Sequence, residues 1–313
     1  MNSFGRLFKV EIFGESHGSC IGVVLDGVPA GLPISEKDFK ADLKRRNPKL
    51  KGVTARKEED RPLIKSGIFK GKTTGAPIMI MFENKDVDSS RYEALKDTPR
   101  PGHADLTAFK KWKGFNDYRG AGPFSGRLTV PLVAAGVVAK KLLKGIKINS
   151  SVIRTGDVNK ALKKGDSVGG IVDCSVKGVP VCLGEPFFDS VESLLGHIIF
   201  AVPGIKGIEF GEGFKGTQMY GSEFNKSSKN TGGINGGITN GNEIYFRVAV
   251  RPAASISKPQ ETINLRTGKK EKISIQGRFD TCFAVRVPPV IEAVTAIVLL
   301  DLMLLEQKIE RVV

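Results

Sequence analysis

The second half of this chain repeats the first. Three stretches recur in the same order, so each half must be able to build the same supersecondary unit, a constraint stronger than any single motif imposes. "GVVLDGVPAGLPISEKDF" from Gly22 is echoed by "CSVKGVPVCLGEPFFDSV" from Cys174, each reading as a strand, a G-V-P turn, a proline and a helix. In the first copy Ser35 is the expected N-cap, with Glu36 and Asp38 in the first turn and Lys44-Arg45-Arg46 closing the helix, as the macrodipole favours. Gly67-Ile68-x-x-Gly71-x-Thr73-x-Gly75-x-x-Ile78 matches Gly233-Ile234-x-x-Gly237-x-Thr239-x-Gly241-x-x-Ile244, and both run into a strand. In the second of these strands Ile244, Phe246, Val248 and Val250 alternate at period two, the mark of a half-buried strand. Finally, "VPLVAAGVVAKKLL" from Val130 and "VPPVIEAVTAIVLL" from Val287 each read as an apolar helix entered through proline. The pattern predicts a duplicated α+β unit, halves roughly 1–150 and 151–313, with sheets packed on helices and a cleft where the halves meet. No linker rich in Gly, Ser or Pro separates them, so one structural domain is expected over 1–313.

A chain of 313 residues buries a sizeable core without staples. Cys20, Cys174, Cys182 and Cys282 form no C-x-x-C pair and are expected to be reduced core thiols. The apolar run Val290–Leu305 falls short of the roughly 20 residues of a membrane span and carries Glu292 and Asp301, so it reads as a buried helix. With strand-like sequence at the N-terminus and no apolar leader, a cytoplasmic protein without a membrane partner is expected. The balance of 48 Lys+Arg against 33 Asp+Glu suits nucleic acid, a membrane surface or a polyanionic small molecule. Several arginines, Arg45-Arg46, Arg100, Arg119, Arg127, Arg251 and Arg278, stand beside glycine and proline in apparent loops. The planar guanidinium fork matches carboxylate and phosphate, which favours small anions. Nucleic acid would call for aromatics interleaved with Lys/Arg or a known module, and with 7% aromatics and no such module none is expected as a partner.

"FGESHG" (Phe13 to Gly18) contains the G-x-S-x-G of a hydrolase nucleophile elbow, which requires a strand, a sharp turn and a helix. Here "RLFKVEIF" before it and "CIGVVLDGVP" after it both read as strands, so the elbow fails and His17, at a glycine-flanked turn, becomes the candidate. Of the three histidines, His17 and His103 ("RPGHAD") sit in glycine loops suited to acid/base work, whereas His197 lies in an apolar helical stretch and is expected to be structural. No metal-ligand spacing appears, and no metal is expected. "TGGINGGITNG" (Thr231 to Gly241) lacks a following helix and any Gly-Lys-Ser/Thr, so it is either a turn between strands or a place where a flat ligand or a phosphate approaches backbone.

The set "FGESHG", "PRPGHADLT", "DYRGAGPFSGRLT", "GIKGIEFGEGF", "GGINGGITNG", "VRPAASI" and "GRFDTC" resembles the chorismate synthase family nearly end to end and in order. The resemblance implies a β-α-β sandwich with antiparallel sheets, a homotetramer, and a lyase that converts 5-enolpyruvylshikimate-3-phosphate into chorismate and phosphate by 1,4-elimination. It also implies reduced FMN (FMNH2) as cofactor and NADP among its associated small molecules. His17 would protonate the departing phosphate, His103 would stabilise the anionic reduced flavin, and Asp280 would assist proton removal. Arg45, Arg46, Arg119 and Arg127 would contact substrate anions. Ser125, Gly236, Arg251, Pro252, Ala253, Ala254, Ser255 and Arg278 fall in flavin-binding stretches. The family's "GRSSARET" appears here as Gly122–Thr129 ("GPFSGRLT"), "KPTSSI" as Arg251–Ile256 ("RPAASI") and "RHDPC" as Arg278–Cys282 ("RFDTC"), so the departures gather on the flavin side. The readings in competition are a flavin-binding relative with altered activity and a basic nucleic-acid-binding protein.

Overall fold

A computed structural model describes residues 2–48, 53, 59–85, 87–93, 95–275, 279–310 and 312. The first half runs β1 (Ser3–Phe4), β2 (Lys9–Gly14), β3 (Cys20–Asp26), α1 (Lys40–Arg46), β4 (Leu63–Ile64), β5 (Ile68–Phe69), β6 (Lys72–Thr73) and β7 (Ile78–Glu83). It continues through α2 (Ser90–Glu93) and α3 (Asp105–Trp112) to α4 (Thr129–Leu142). The second half runs β8 (Lys147–Thr155), α5 (Val158–Lys163), β9 (Gly170–Lys177), α6 (Val191–Ala201), β10 (Ile205–Phe210), α7 (Gly213–Gly216) and α8 (Gly221–Phe224). It closes with β11 (Ile234–Asn235), β12 (Ile238–Thr239), β13 (Ile244–Val250), a β14–β15 hairpin (Gln260–Ile263, Lys270–Ile273) and α9 (Pro288–Leu305).

Both large sheets are antiparallel, ordered β1-β2-β3-β7-β4 and β10-β13-β9-β8. With β1 set aside, β2-β3-β7-β4 and β8-β9-β13-β10 are one topology traced twice. The duplication extends to single hydrogen bonds. Thr73 Oγ1 donates to Pro29 O (2.6 Å) and accepts from the Leu32 N–H (2.9 Å); Thr239 Oγ1 donates to Pro180 O (2.7 Å) and accepts from the Leu183 N–H (2.9 Å). This accounts for the shared G-x-T and G-V-P patterns: the buried threonine clamps the turn onto the small hairpin.

α4 packs on the first sheet, α9 on the second, and the two helices on each other, giving the expected sandwich with helices as the middle layer. They approach so closely that a Cβ on Gly136 would lie 2.3 Å from the Ala293 Cβ. α9 is long and apolar enough to cross a membrane by length and composition, but 94% of it is buried in the fold. Its two carboxylates are accounted for: Glu292 takes Arg45 in two 2.7 Å hydrogen bonds and Lys140 at 2.9 Å, and Asp301 accepts the Arg6, Leu7 and Phe8 N–H groups at 2.8–3.0 Å.

One cysteine departs from the expected core location. Cys174 and Cys282 are buried and Cys20 half-buried, but Cys182 is exposed. It falls on the turn where the first copy has Gly31; Gly31 has φ +92° and Cys182 φ +68°. A side chain is strained in this left-handed region by roughly 1–2 kcal/mol, so Cys182→Gly is expected to raise the urea midpoint of unfolding. A lower midpoint would remove the strain argument.

Candidate active site

"FGESHG" is the tight turn of the β2–β3 hairpin, consistent with two flanking strands and no nucleophile elbow. Ser16 is 1% exposed, and its N–H donates to Gly122 O at 3.2 Å. Asn84 pins the turn, its Nδ2 donating to the carbonyls of Glu15 and Gly18 at 3.0 Å, while its Oδ1 accepts from Arg127 Nε at 3.1 Å. His17 Nδ1 lies 2.9 Å from Ser89 Oγ and its ring meets Tyr92 edge-on at 5.1 Å. On the other side is Gly120, where a Cβ would fall 2.4 Å from His17 Nε2. The "RGAG" segment achieves this approach through consecutive left-handed residues, Gly120 at φ +56° and Ala121 at φ +74°.

Gly120 lines a cleft of about 380 Å³ between the two halves, which therefore lies where the duplication predicts it. Its floor is cationic. Asp60 sits between Arg46 Nη2 (2.9 Å) and Arg127 Nη1, and all three side chains are buried. Burial alone would raise the Asp60 carboxyl, but the two guanidinium groups outweigh it and hold it below the usual carboxylate range. Arg46 Nε is buried without a hydrogen-bond partner among the described residues, a donor that an anionic oxygen would satisfy. Across the cleft Asp280 takes Arg286 through Nε (2.8 Å) and Nη2 (3.2 Å), and Arg286 Nη1 donates to Asn47 Oδ1 at 3.0 Å.

The third wall carries His103 on the turn before α3. Asp105 accepts from Arg100 Nε (2.7 Å) and Nη2 (2.8 Å), and lies 2.6 Å from His103 Nδ1. Burial would raise its carboxyl, yet the Arg100 and His103 hydrogen bonds hold it well below the usual range. Arg100 Nη1 donates to Ser255 Oγ at 3.2 Å, and Arg251 Nη1 to Gly102 O at 2.7 Å, tying this turn to the second half.

The cleft thus brings together Arg46, His103, Ser125, Arg127, Arg251, Ala253, Ala254, Ser255 and Asp280 from among the sequence candidates. Pro252 lies between two of them. His17 and Arg119 flank Gly120 at the rim, Arg119 paired with Asp117 through Nε and Nη2 at 2.9 Å. Arg45 is turned to Glu292, and Gly236 lies in the β11–β12 turn, both away from the cleft. Arg278 lies outside the described residues. Asp60, Asp105 and Arg286 are additions. Arg286 had a signal, a lone charge in the apolar run "FAVRVPP", and Asp105 stands within the quoted "PGHADLT"; Asp60 in "RKEED" had none. A larger groove of about 910 Å³ runs along β1 and β2 to the end of α9. It gathers none of the glycine-loop motifs, and its histidine, His197, is exposed and stacked edge-on against Phe4.

The chorismate synthase family model matches residues 8–164 and 155–304. A chorismate synthase of Chitinophaga pinensis is 53% identical over 329 residues, covering 100% of this chain and 99% of the relative. One of Pyrococcus abyssi is 43% identical, covering 95% and 96%. A crystal structure of chorismate synthase superposes with a TM-score of 0.75 at 25% identity, covering 97% of this chain and 93% of that one. Two sheets sharing one four-strand topology, a histidine- and arginine-lined cleft drawn from both halves, and relatives matching over their full length place the chain in the chorismate synthase family.

Proposed function

We propose that the cleft carries out the family's reaction on 5-enolpyruvylshikimate-3-phosphate, releasing phosphate and forming chorismate with reduced FMN as cofactor. The observation that carries this reading is the buried Arg46–Asp60–Arg127 floor with its unpartnered Arg46 Nε, set beside two histidine loops. Arg46 and Arg127, with Arg119 at the rim, bind the substrate's phosphate and carboxylates through charge-assisted hydrogen bonds. His17, held through Nδ1 by Ser89, gives a proton to the departing phosphate from Nε2; Gly120 leaves room for that edge. Asp280, oriented by Arg286, holds the proton that C6 loses.

The remaining lining suits a flavin. Ser125, Arg251 and Ser255 offer donors for its polar groups, Ala253 and Ala254 let a ring approach closely, and Val202, Phe283 and Val290 supply apolar surface. When bound, reduced FMN supplies the electron density that makes loss of phosphate feasible from a substrate whose C6 hydrogen is barely acidic. His103 lies on the same wall, placed to stabilise negative charge on that cofactor.

The whole chain acts as one domain, since α4 and α9 share a core and the cleft draws on both halves. A cytoplasmic homotetramer is the accompanying proposal, supported by large apolar side chains left exposed at Phe115, Phe187, Phe188 and Phe214. Sedimentation of the purified chain checks the assembly. Under anaerobic conditions with chemically reduced FMN, the protein is expected to release one phosphate per substrate consumed. No phosphate at high protein concentration, with the flavin confirmed reduced, would overturn the assignment.

A further inference from the structure

The geometry points to Asp105 as a positioning residue that fixes the tautomer of His103, with Arg100 as the brace that orients the carboxylate. Arginine has donors only, so its nitrogens cannot accept the His103 proton. Asp105 is ionised and can only accept, so its 2.6 Å approach to Nδ1 requires the proton to stay on Nδ1 and be donated to the carboxylate. Its Oδ2 accepts from the Arg100 N–H (3.0 Å) and Nε (2.7 Å), and its Oδ1 accepts from Arg100 Nη2 (2.8 Å) and faces His103 Nδ1 at 2.6 Å. Arg100 Nη2 also lies 3.2 Å from His103 Nδ1, a contact that cannot be a hydrogen bond while Nδ1 itself donates. Nε2 takes no hydrogen-bond partner among the described residues and is the nitrogen left for a ligand in the cleft.

The brace is firm because Arg100 and His103 are largely buried, at 6% and 15% side-chain exposure. Gly102, at φ +67°, allows the chain to wrap the turn around one carboxylate. Arg100 further donates to Ser255 Oγ (3.2 Å) and stacks 5.9 Å from the ring centre of Tyr92, which meets the His17 ring. One guanidinium thus connects the two histidine loops and the flavin-side wall. The charged groups that share the cleft with His103 are Arg46, Arg127, Arg251 and the Asp280–Arg286 pair. The acceptor that meets His103 Nδ1 is the Asp105 carboxylate at 2.6 Å, so the tautomer rests on Asp105.

The consequence for catalysis rests on the proposed function; the consequence for the ring does not. Asp105→Asn keeps the shape, but its single oxygen best serves the two donors Arg100 N–H and Nε, which sets its NH2 against Arg100 Nη2 and toward His103 Nδ1. Nδ1 would become an acceptor and the proton would move to Nε2, as a carboxylate-to-amide change does beside other catalytic histidines.

The chain has only three histidines, so ¹⁵N-histidine NMR of the full-length protein resolves each ring, with His103→Gln supplying the assignment. In the parent, neutral His103 is expected to carry its proton on Nδ1, and Asp105→Asn is expected to move it to Nε2 while the His197 signals stay in place. Asp105→Glu, which retains the carboxylate, is expected to keep the parent tautomer and most of the turnover. With saturating reduced flavin, Asp105→Asn is expected to lower kcat by about 10²-fold and to change KM for substrate less. A parent His103 protonated on Nε2, or an unchanged tautomer in folded Asp105→Asn, would overturn the inference. An inactive parent with the expected tautomers would instead count against the proposed reaction and leave the positioning role standing.

Discussion

His17→Ala is expected to reduce turnover by about 10² to 10⁴-fold, the range for removing a general acid, while leaving substrate and flavin binding much less affected. The asymmetry follows from where the ring sits. His17 Nδ1 lies 2.9 Å from Ser89 Oγ and its ring meets Tyr92 edge-on, while the anion-binding floor beside it is supplied by other residues. Removing it leaves Arg46, Asp60 and Arg127 in place. Ser16→Ala is expected to do less damage, because Ser16 is buried in the hairpin turn and shapes it; one lost hydrogen bond typically costs about 0.5–1.5 kcal/mol. Anaerobic turnover with saturating flavin, measured on both variants, decides the matter. Equal activity of His17→Ala and the parent would remove His17 from the chemistry. A greater loss in Ser16→Ala, with labelling by a serine-directed phosphonate, would reinstate a nucleophile.

The duplication was legible because it is written in residues whose constraints are local. Thr73 and Thr239 recur because each clamps a G-V-P turn, and the prolines of "VPLV" and "VPPV" recur because each opens a core helix. The glycine-loop histidines were legible for a similar reason, since a side chain held at a tight turn announces itself in sequence. Partnerships across the fold were not. Nothing near Arg45 says that a carboxylate 247 residues away will take both its terminal nitrogens and turn it from the cleft. Gly236 was read from a glycine-rich stretch that also builds the β11–β12 hairpin: Gly236 sits in its turn at φ +61°, and the adjoining Gly237 has no room for a Cβ, 2.7 Å from the Glu185 carbonyl. Cys182 was placed in the core by residue type, whereas alignment of the two halves would have put it at the Gly31 turn position. Asp60 was invisible because its meaning lies entirely in the two arginines that fold around it.

That carboxylate should matter most to stability. Asp60→Ala is expected to cost about 3–5 kcal/mol, the range for removing one partner of a buried ion pair, because it removes the buried carboxylate that Arg46 and Arg127 share. Burial already pushes the Arg46 guanidinium below its usual value, and Asp60 is the group that opposes this. The sign of the pH dependence follows from the lowered Asp60 carboxyl. Its contribution is fully present above the unfolded carboxylate value of about 3.9 and is lost as pH falls through the lower folded value. On acidification below about pH 4 the parent should therefore lose stability more steeply than Asp60→Asn, which has no carboxylate to titrate. A dianion supplies the missing counter-charge, so inorganic phosphate should raise the urea midpoint of Asp60→Ala more than that of the parent. An Asp60→Ala midpoint within error of the parent's, or no excess stabilisation by phosphate, would mean that the two arginines are not held as an anion-binding floor. The substrate-binding role assigned to them would then have to move to Arg119 and the rim.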